Sequence, residues 1–176
     1  MNKKLIIEKL NNDEVVAFPT DTVFGLIVKL KKQNIYKLNN IKKRKSDTPL
    51  QILFSSLEDA IKFLEDDSFI IDYLNKNYKE KTSYIVKVKK DFDSKYLLES
   101  FNQTFMFRIP TGDILELINE VGPLFATSAN LHETEPMTDN DMIAKTFNIN
   151  VSDIKQNSNK ASYIISLVNK KVKRIR

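Results

Sequence analysis

Short apolar runs punctuated by proline or glycine alternate with stripes of apolar residues at helical spacing, and that alternation narrows the fold more than any other feature of the chain. Val15 to Phe18 reads as a buried strand stopped by Pro19, and Val23 to Leu30 as a second strand. Pro49 opens a third at Leu50 to Phe54, and residues 82–89 and 103–109 alternate like half-buried strands, the latter ending at Pro110. Leu124 to Thr127, Ser162 to Val168 and Val172 to Ile175 complete the strands. Between them lie helices over 3–12, around Ile35, Leu38 and Ile41, after Ser55 or Ser56, after Ser68, from Ile114 to Val121, and over Met142 to Phe147. Gly112 precedes the Ile114 helix, Gly122-Pro123 ends it, and Thr138 or Asp139 caps the Met142 helix. Neither a repeat nor a linker interrupts the series. The expectation is one α/β domain over 1–176, a twisted mixed sheet flanked by helices.

Composition removes several chemistries. There is no Cys, so disulfides, thiolate zinc sites and thiol catalysis are excluded. A single His, His132, makes a multi-His metal site impossible, and it is read as a loop residue rather than an acid or base. Gly25, Gly112 and Gly122 lie too far apart for a glycine-rich phosphate loop, so a nucleotide here must be held without one. No apolar run approaches a membrane span and the N-terminus lacks a signal peptide's features, which leads to the expectation of a cytoplasmic protein.

The 28 basic residues comprise 24 Lys and four Arg, at 44, 108, 174 and 176. Charge is segregated: net +6 over 1–50, −7 over 51–150 and +6 over 151–176. If the fold joins the two basic ends they make one positive face, suited to phosphate or nucleic acid; a Lys-rich solubilising surface is the plainer reading.

Four segments place small polar groups at strand ends. Phe18 to Leu26 contains Pro19-Thr20-Asp21-Thr22 and Gly25, either a binding turn or an ordinary one. In Lys42-Lys43-Arg44-Lys45, Lys42 and Arg44 stand two apart in what reads as an extended loop, able to reach one polyphosphate or simply solvated. In Thr104 to Pro110 a strand would put Thr104, Met106 and Arg108 on one face and Phe105 and Phe107 on the other. An Arg in so apolar a strand needs a counter-anion, a substrate carboxylate or a protein Asp or Glu. Finally Thr127-Ser128-Ala129-Asn130 offers hydroxyls, an amide and backbone N–H groups, for a ligand or for a capped turn.

Together these segments resemble the YrdC/TsaC-type threonylcarbamoyl-AMP synthases, from about residue 14 onward. Pro19-Thr20-Asp21-Thr22-Val23-Phe24-Gly25-Leu26 is similar to that family's signature turn, with Phe24 for Tyr. Lys42, Arg44 and Pro49-Leu50 resemble its basic segment, Thr104 and Arg108 its Thr-x-x-x-Arg-x-Pro strand, and Ser128-Ala129-Asn130 its Ser-Ala-Asn motif. Ser162 and Arg176 match the family's closing strands. The chain departs from the pattern at Tyr78 to Ser83, at Lys43 and Lys45, at His132-Glu133 and at Tyr163, and the expectation is a single YrdC-like domain without an added C-terminal one.

The resemblance implies a YrdC-like fold with a largely antiparallel sheet. It implies a nucleotidyltransferase that joins L-threonine, bicarbonate and ATP to threonylcarbamoyl-AMP for N6-threonylcarbamoyladenosine in tRNA. It assigns the threonine site to Thr22, Arg108 and Ser162. The ATP site falls to Lys42, Arg44, Thr48, Thr104, Ser128, Asn130 and Arg176, with Lys42 and Arg44 as catalytic groups. Mg²⁺ is expected on the ATP phosphates with no protein metal cluster, and tRNA or a tRNA-transferring complex as partner. Two alternatives stand beside it: an RNA-binding module without chemistry, motivated by the basic segments, and a paralogue acting on another carbamoyl substrate, as in hydrogenase maturation.

Overall fold

The computed structural model describes residues 1–131, 134–156 and 160–176. Its strands are β1 (Val16–Pro19), β2 (Phe24–Lys29), β3 (Gln51–Leu53), β4 (Thr82–Lys87), β5 (Thr104–Arg108), β6 (Leu124–Ser128), β7 (Asn150–Val151), β8 (Tyr163–Ser166) and β9 (Lys173–Arg174). The helices are α1 (Lys3–Asn11), α2 (Lys32–Ile41), α3 (Leu57–Ile61), α4 (Ser68–Asn77), α5 (Lys90–Tyr96), α6 (Asp113–Val121) and α7 (Asn140–Phe147). All nine strands join one sheet in the order β7-β1-β2-β6-β3-β5-β4-β8-β9. Only β1–β7, β3–β5 and β4–β8 pair in parallel, so the sheet is mixed and largely antiparallel as expected.

The alternation of side chains along each strand divides the core in two. Ala17, Phe24, Leu26, Val28, Phe105 and Phe107 point to one face, where α2, α3, α4, α5 and α7 pack on them. Val16, Phe18, Ile27, Leu53 and Leu124 point to the other, where α1 and α6 bring Ile6, Leu10, Ile114, Leu117 and Ile118. The strand residues of that second layer come from β1, β2, β3 and β6, and none comes from β5, β4 or β8 among the described residues. The part of the face beyond this layer is left uncovered, and a polar-walled cavity lies there.

Local chemistry explains most element ends. Asn2 caps α1 by accepting from the Leu5 N–H, and Ser56 and Asp139 cap α3 and α7 in the same way. Gly112 at φ 75° starts α6, a left-handed value that only glycine adopts cheaply. Ser68, expected just before its helix, is the first residue of α4, and Asp67 caps it, its carboxylate accepting from Phe69 N–H at 2.9 Å. The sequence reading also lacks α5, the 3-10 turn Glu99–Phe101 and the two-residue β7. In α5 just Phe92 and Tyr96 carry the apolar period, too little to distinguish a helix from a loop.

Candidate active site

The turn between β1 and β2 is built by its own hydroxyls. Thr20 Oγ1 accepts from the Thr22 N–H at 3.1 Å, donates to Val23 O at 2.7 Å, and lies 3.0 Å from Thr22 Oγ1. Gln156 Nε2 donates to the carbonyls of both Thr20 and Thr22, so a segment 136 and 134 residues away fixes the same turn. Gly25 follows on the uncovered sheet face. A Cβ there would stand 3.3 Å from Thr20 Cγ2, close enough to push on the turn.

Arg108, the last residue of β5, also reaches this turn. Its Nη1 donates to Asp21 Oδ1, with both side chains nearly removed from water, and its Nη2 lies 3.5 Å from Thr20 Oγ1. The anion that the buried Arg requires is thus Asp21, which sequence reasoning placed in the motif but not among the site residues. The pair is incompletely satisfied, because Arg108 Nε and Asp21 Oδ2 have no hydrogen-bond partner among the described residues. Tyr78 supports the strand end from behind. Its hydroxyl donates to Ile109 O at 3.1 Å and accepts from Ile109 N–H at 3.0 Å, and burial pushes the phenol up to about 12.

The basic segment differs from its expected shape. It is not extended: Lys42 ends α2 in helical conformation, and Lys43 turns left-handed at φ 51°. Two residues apart across such a turn, Lys42 and Arg44 diverge. Lys42 is buried, and its Nζ donates to Ser128 O at 2.8 Å, to Asn130 Oδ1 at 2.7 Å and to Asn130 O. Burial, and then the charge of Arg44, lower this ammonium to about 8. Arg44 swings to the cavity, with its Nε held by Asn39 Oδ1 at 2.6 Å and its Nη2 buried without a partner among the described residues. Asn39 is fully buried, and its amide also donates to Ser46 O at 2.8 Å and Thr48 O at 2.9 Å. One side chain therefore shapes the whole basic loop. Its signal in the sequence was absent, because an Asn on an amphipathic helix ordinarily faces water.

These parts enclose a cavity of about 490 Å³ over the uncovered part of the sheet face. Of the residues expected at the site, Thr22, Arg44, Arg108, Ser128, Asn130, Ser162 and Arg176 line it. Three do not. Lys42 is spent on the Ser128–Asn130 turn. The Thr48 hydroxyl donates to Lys45 O at 2.8 Å, closing its own loop. Thr104 shares the face of Arg108 but sits at the far end of β5, opposite Lys87, with its hydroxyl on Phe101 O at 2.7 Å. His132 lies outside the described residues. Arg174, two residues from Arg176, stacks 4.7 Å over the Tyr163 ring, while Arg176 lines the cavity and its Nε donates to Ser162 O at 3.0 Å. The walls also include Met106, on the strand face expected for it beside Arg108, and Gln51 and Glu135, for which the sequence carried no signal. Gln51 Nε2 donates to Ser83 Oγ at 2.6 Å, and Ser83 Oγ lies 2.9 Å from Ser162 Oγ, a polar relay across three strands.

A hydroxyl-lined turn and three Arg side chains thus surround one cavity. The Sua5/YciO/YrdC profile, described as "Telomere recombination", covers residues 8–176. The chain belongs to the Sua5/YciO/YrdC family. It is 31% identical over 153 residues to a threonylcarbamoyl-AMP synthase of Histophilus somni, spanning 84% of this chain and 82% of that protein. A similar enzyme of Actinobacillus succinogenes is 33% identical over 141 residues, 77% of this chain and 76% of that one. In fold it is similar to P. abyssi Sua5 complexed with L-threonine, with TM-score 0.80, 21% identity and 99% of this chain covered. The chain spans about half of that protein, 53% of its length. E. coli YciO has TM-score 0.80 at 19% identity, covering 99% of this chain and 89% of YciO. Among the described residues no helix is long and apolar enough to cross a membrane.

Proposed function

We propose that the chain condenses L-threonine, bicarbonate and ATP into threonylcarbamoyl-AMP and pyrophosphate. The observation that carries this reading is the convergence of Thr22, Arg108 and Ser162 with Arg44, Ser128, Asn130 and Arg176 on one cavity, so that an amino acid and a nucleotide could meet there. Family membership and two relatives named for this reaction support it.

In the proposed sequence the threonine amine attacks the carbon of bicarbonate, giving a carbamate and water. A carbamate oxygen then attacks the α-phosphorus of ATP, the bond to the β-phosphate oxygen breaks, and pyrophosphate leaves. Such a transfer depends on alignment and on neutralising charge at the leaving group, so it needs no thiol and no imidazole. Arg108, oriented by Asp21, clamps the threonine carboxylate, with Thr22 and Ser162 beside it. Arg44 and Arg176 bind the phosphates, and Ser128 and Asn130 complete the nucleotide site. Mg²⁺ travels on the ATP phosphates: the cavity wall offers one carboxylate, Glu135, and no cluster of three metal-ligating side chains occurs among the described residues. The product passes to tRNA or to a tRNA-transferring complex.

The test is pyrophosphate release with each substrate omitted in turn. Release that requires both threonine and bicarbonate supports the proposal. Release indifferent to threonine, or dependent on carbamoyl phosphate in place of bicarbonate, assigns the site to another carbamoyl substrate. Salt-sensitive RNA binding without any release leaves a binding module.

A further inference from the structure

Ser83 can pass its hydroxyl proton only to Ser162. Its side chain is fully buried on β4, and the hydroxyl meets two groups, Gln51 Nε2 at 2.6 Å and Ser162 Oγ at 2.9 Å. An amide nitrogen only donates, so Ser83 Oγ accepts from Gln51 and gives its own proton to Ser162. Ser162 Oγ accepts that proton and keeps its own O–H for another acceptor. No such acceptor stands among the described residues, and Ser162, 8% exposed, lines the cavity. The series begins on β3 and ends just before β8, with β5 and β4 between them in the sheet. Gln51 stands opposite Met106 in the register, so its amide reaches Ser83 across β5.

We infer that Gln51 and Ser83 are positioning residues, which together turn the Ser162 hydroxyl proton toward the cavity to meet an anionic oxygen of the substrate. The ligand group follows from the direction of the relay. A hydroxyl presented as a donor suits a carboxylate oxygen, and Arg108 and Arg176 on the same walls favour the same charge. An amide turned the other way, with Oε1 on Ser83, would reverse both hydroxyls and offer the substrate a lone pair instead. The inference rests on reading the cavity as an amino-acid site. One of its two measurements needs no substrate, so the two can fail separately.

The first measurement uses the unaltered protein labelled with ¹⁵N glutamine, without ligand. A Gln51 Nε2 proton held by Ser83 should exchange with water about tenfold or more slowly than those of the exposed Gln33. Ser83→Ala should abolish the difference. Equal exchange in the unaltered protein would overturn the relay. The second measurement titrates L-threonine and L-threoninamide, which lacks the anionic oxygen. Gln51→Met and Ser83→Ala should each weaken L-threonine binding by about three- to tenfold and leave binding of the amide nearly unchanged. Ser83→Thr, which keeps the hydroxyl, should retain the preference for the carboxylate. In a Ser162→Ala background, Gln51→Met should have no further effect. Equal losses for both ligands, or full additivity with Ser162→Ala, would overturn the inference. Absence of L-threonine binding to the unaltered protein would sink the amino-acid reading of the cavity, and the exchange result would still decide the relay. If Ser83→Ala does not fold, Gln51→Met, at a half-buried position, makes the same comparison.

Discussion

Arg108 and Asp21 meet in an ion pair whose side chains are 3% and 4% exposed, formed between residues 87 positions apart. A guanidinium so deeply placed is tolerated because a carboxylate faces it, and it stays partly unsatisfied because Nε has no partner among the described residues. Asp21 thereby does two things: it offsets the charge of Arg108 and fixes its orientation toward the cavity.

Removing either partner should be costly. Arg108→Met or Asp21→Asn alone is expected to lose about 3–5 kcal/mol, because the remaining group loses its partner in a buried place. The double variant should lose clearly less than the two single losses combined, as measured by urea unfolding. Arg108→Lys keeps a charge but not the fork, and should raise the threonine KM by about tenfold or more. Unaltered threonine kinetics in Arg108→Lys would remove Arg108 from the threonine site.

Asn39 should matter through Arg44. Asn39→Leu removes the acceptor at 2.6 Å and both loop-closing donations. An ATP KM raised by about five- to thirtyfold is expected, corresponding to roughly 1–2 kcal/mol of lost hydrogen bonding. Adding Asn39→Leu to Arg44→Ala should then change little further. Full additivity of the two substitutions in ATP KM would show that Asn39 does not act through Arg44.

The buried ammonium of Lys42 predicts a pH signature. Its folded-state value is lowered to about 8 from 10.5, chiefly by burial and next by Arg44. Between those values the unfolded chain holds the proton and the folded one has released it. This group therefore adds stability as pH rises through that window, and adds no slope below it. Melting temperatures of the wild type and Lys42→Met, compared at pH 7 and near pH 9.5, should diverge in favour of the wild type at the higher pH. Parallel curves would contradict the assignment.

Tyr78 lies in the stretch that departs most from the family pattern, and its hydroxyl pairs with both backbone groups of Ile109. Tyr78→Phe keeps the ring against Tyr84 at 5.4 Å but leaves an N–H and a C=O without their partner. A loss of about 1–3 kcal/mol in chemical denaturation is expected, together with a higher threonine KM, since Ile109 follows Arg108 directly. A variant as stable as the parent would mean that water replaces the phenol.

Sequence periodicity located the principal strands and helices because each carries an apolar stripe or run, several of them bounded by Pro, Gly or a capping side chain. It failed where the signal is short, as in β7, or sparse, as in α5. At the cavity, strand alternation was enough to put Met106 and Arg108 on one face, with Phe105 and Phe107 on the other. Direction along the strand was not legible, which is why Thr104 was grouped with Arg108 although only one end of β5 reaches the cavity. Lys42 and Arg44 were paired on the assumption of an extended loop. The left-handed Lys43 separates them, and nothing in a Lys residue announces that backbone state. Asn39 and Asp21 acquire their roles from partners brought in by tertiary folding.

The cavity takes its floor from Gly25, close to the beginning of the chain, and part of its wall from Ser162, Ile164 and Arg176, near its end. Both must be brought together across almost the whole polypeptide, so the walls that close late bear the largest loop-closure cost. A nascent chain that has emerged only through β6 would already hold the hydroxyl contacts of the Thr20–Thr22 turn and the Ser128 strand end, without the bonds from Gln156. It would still lack one side of its binding surface. Ligand affinity, followed during synthesis, should therefore appear after most of the secondary structure has formed.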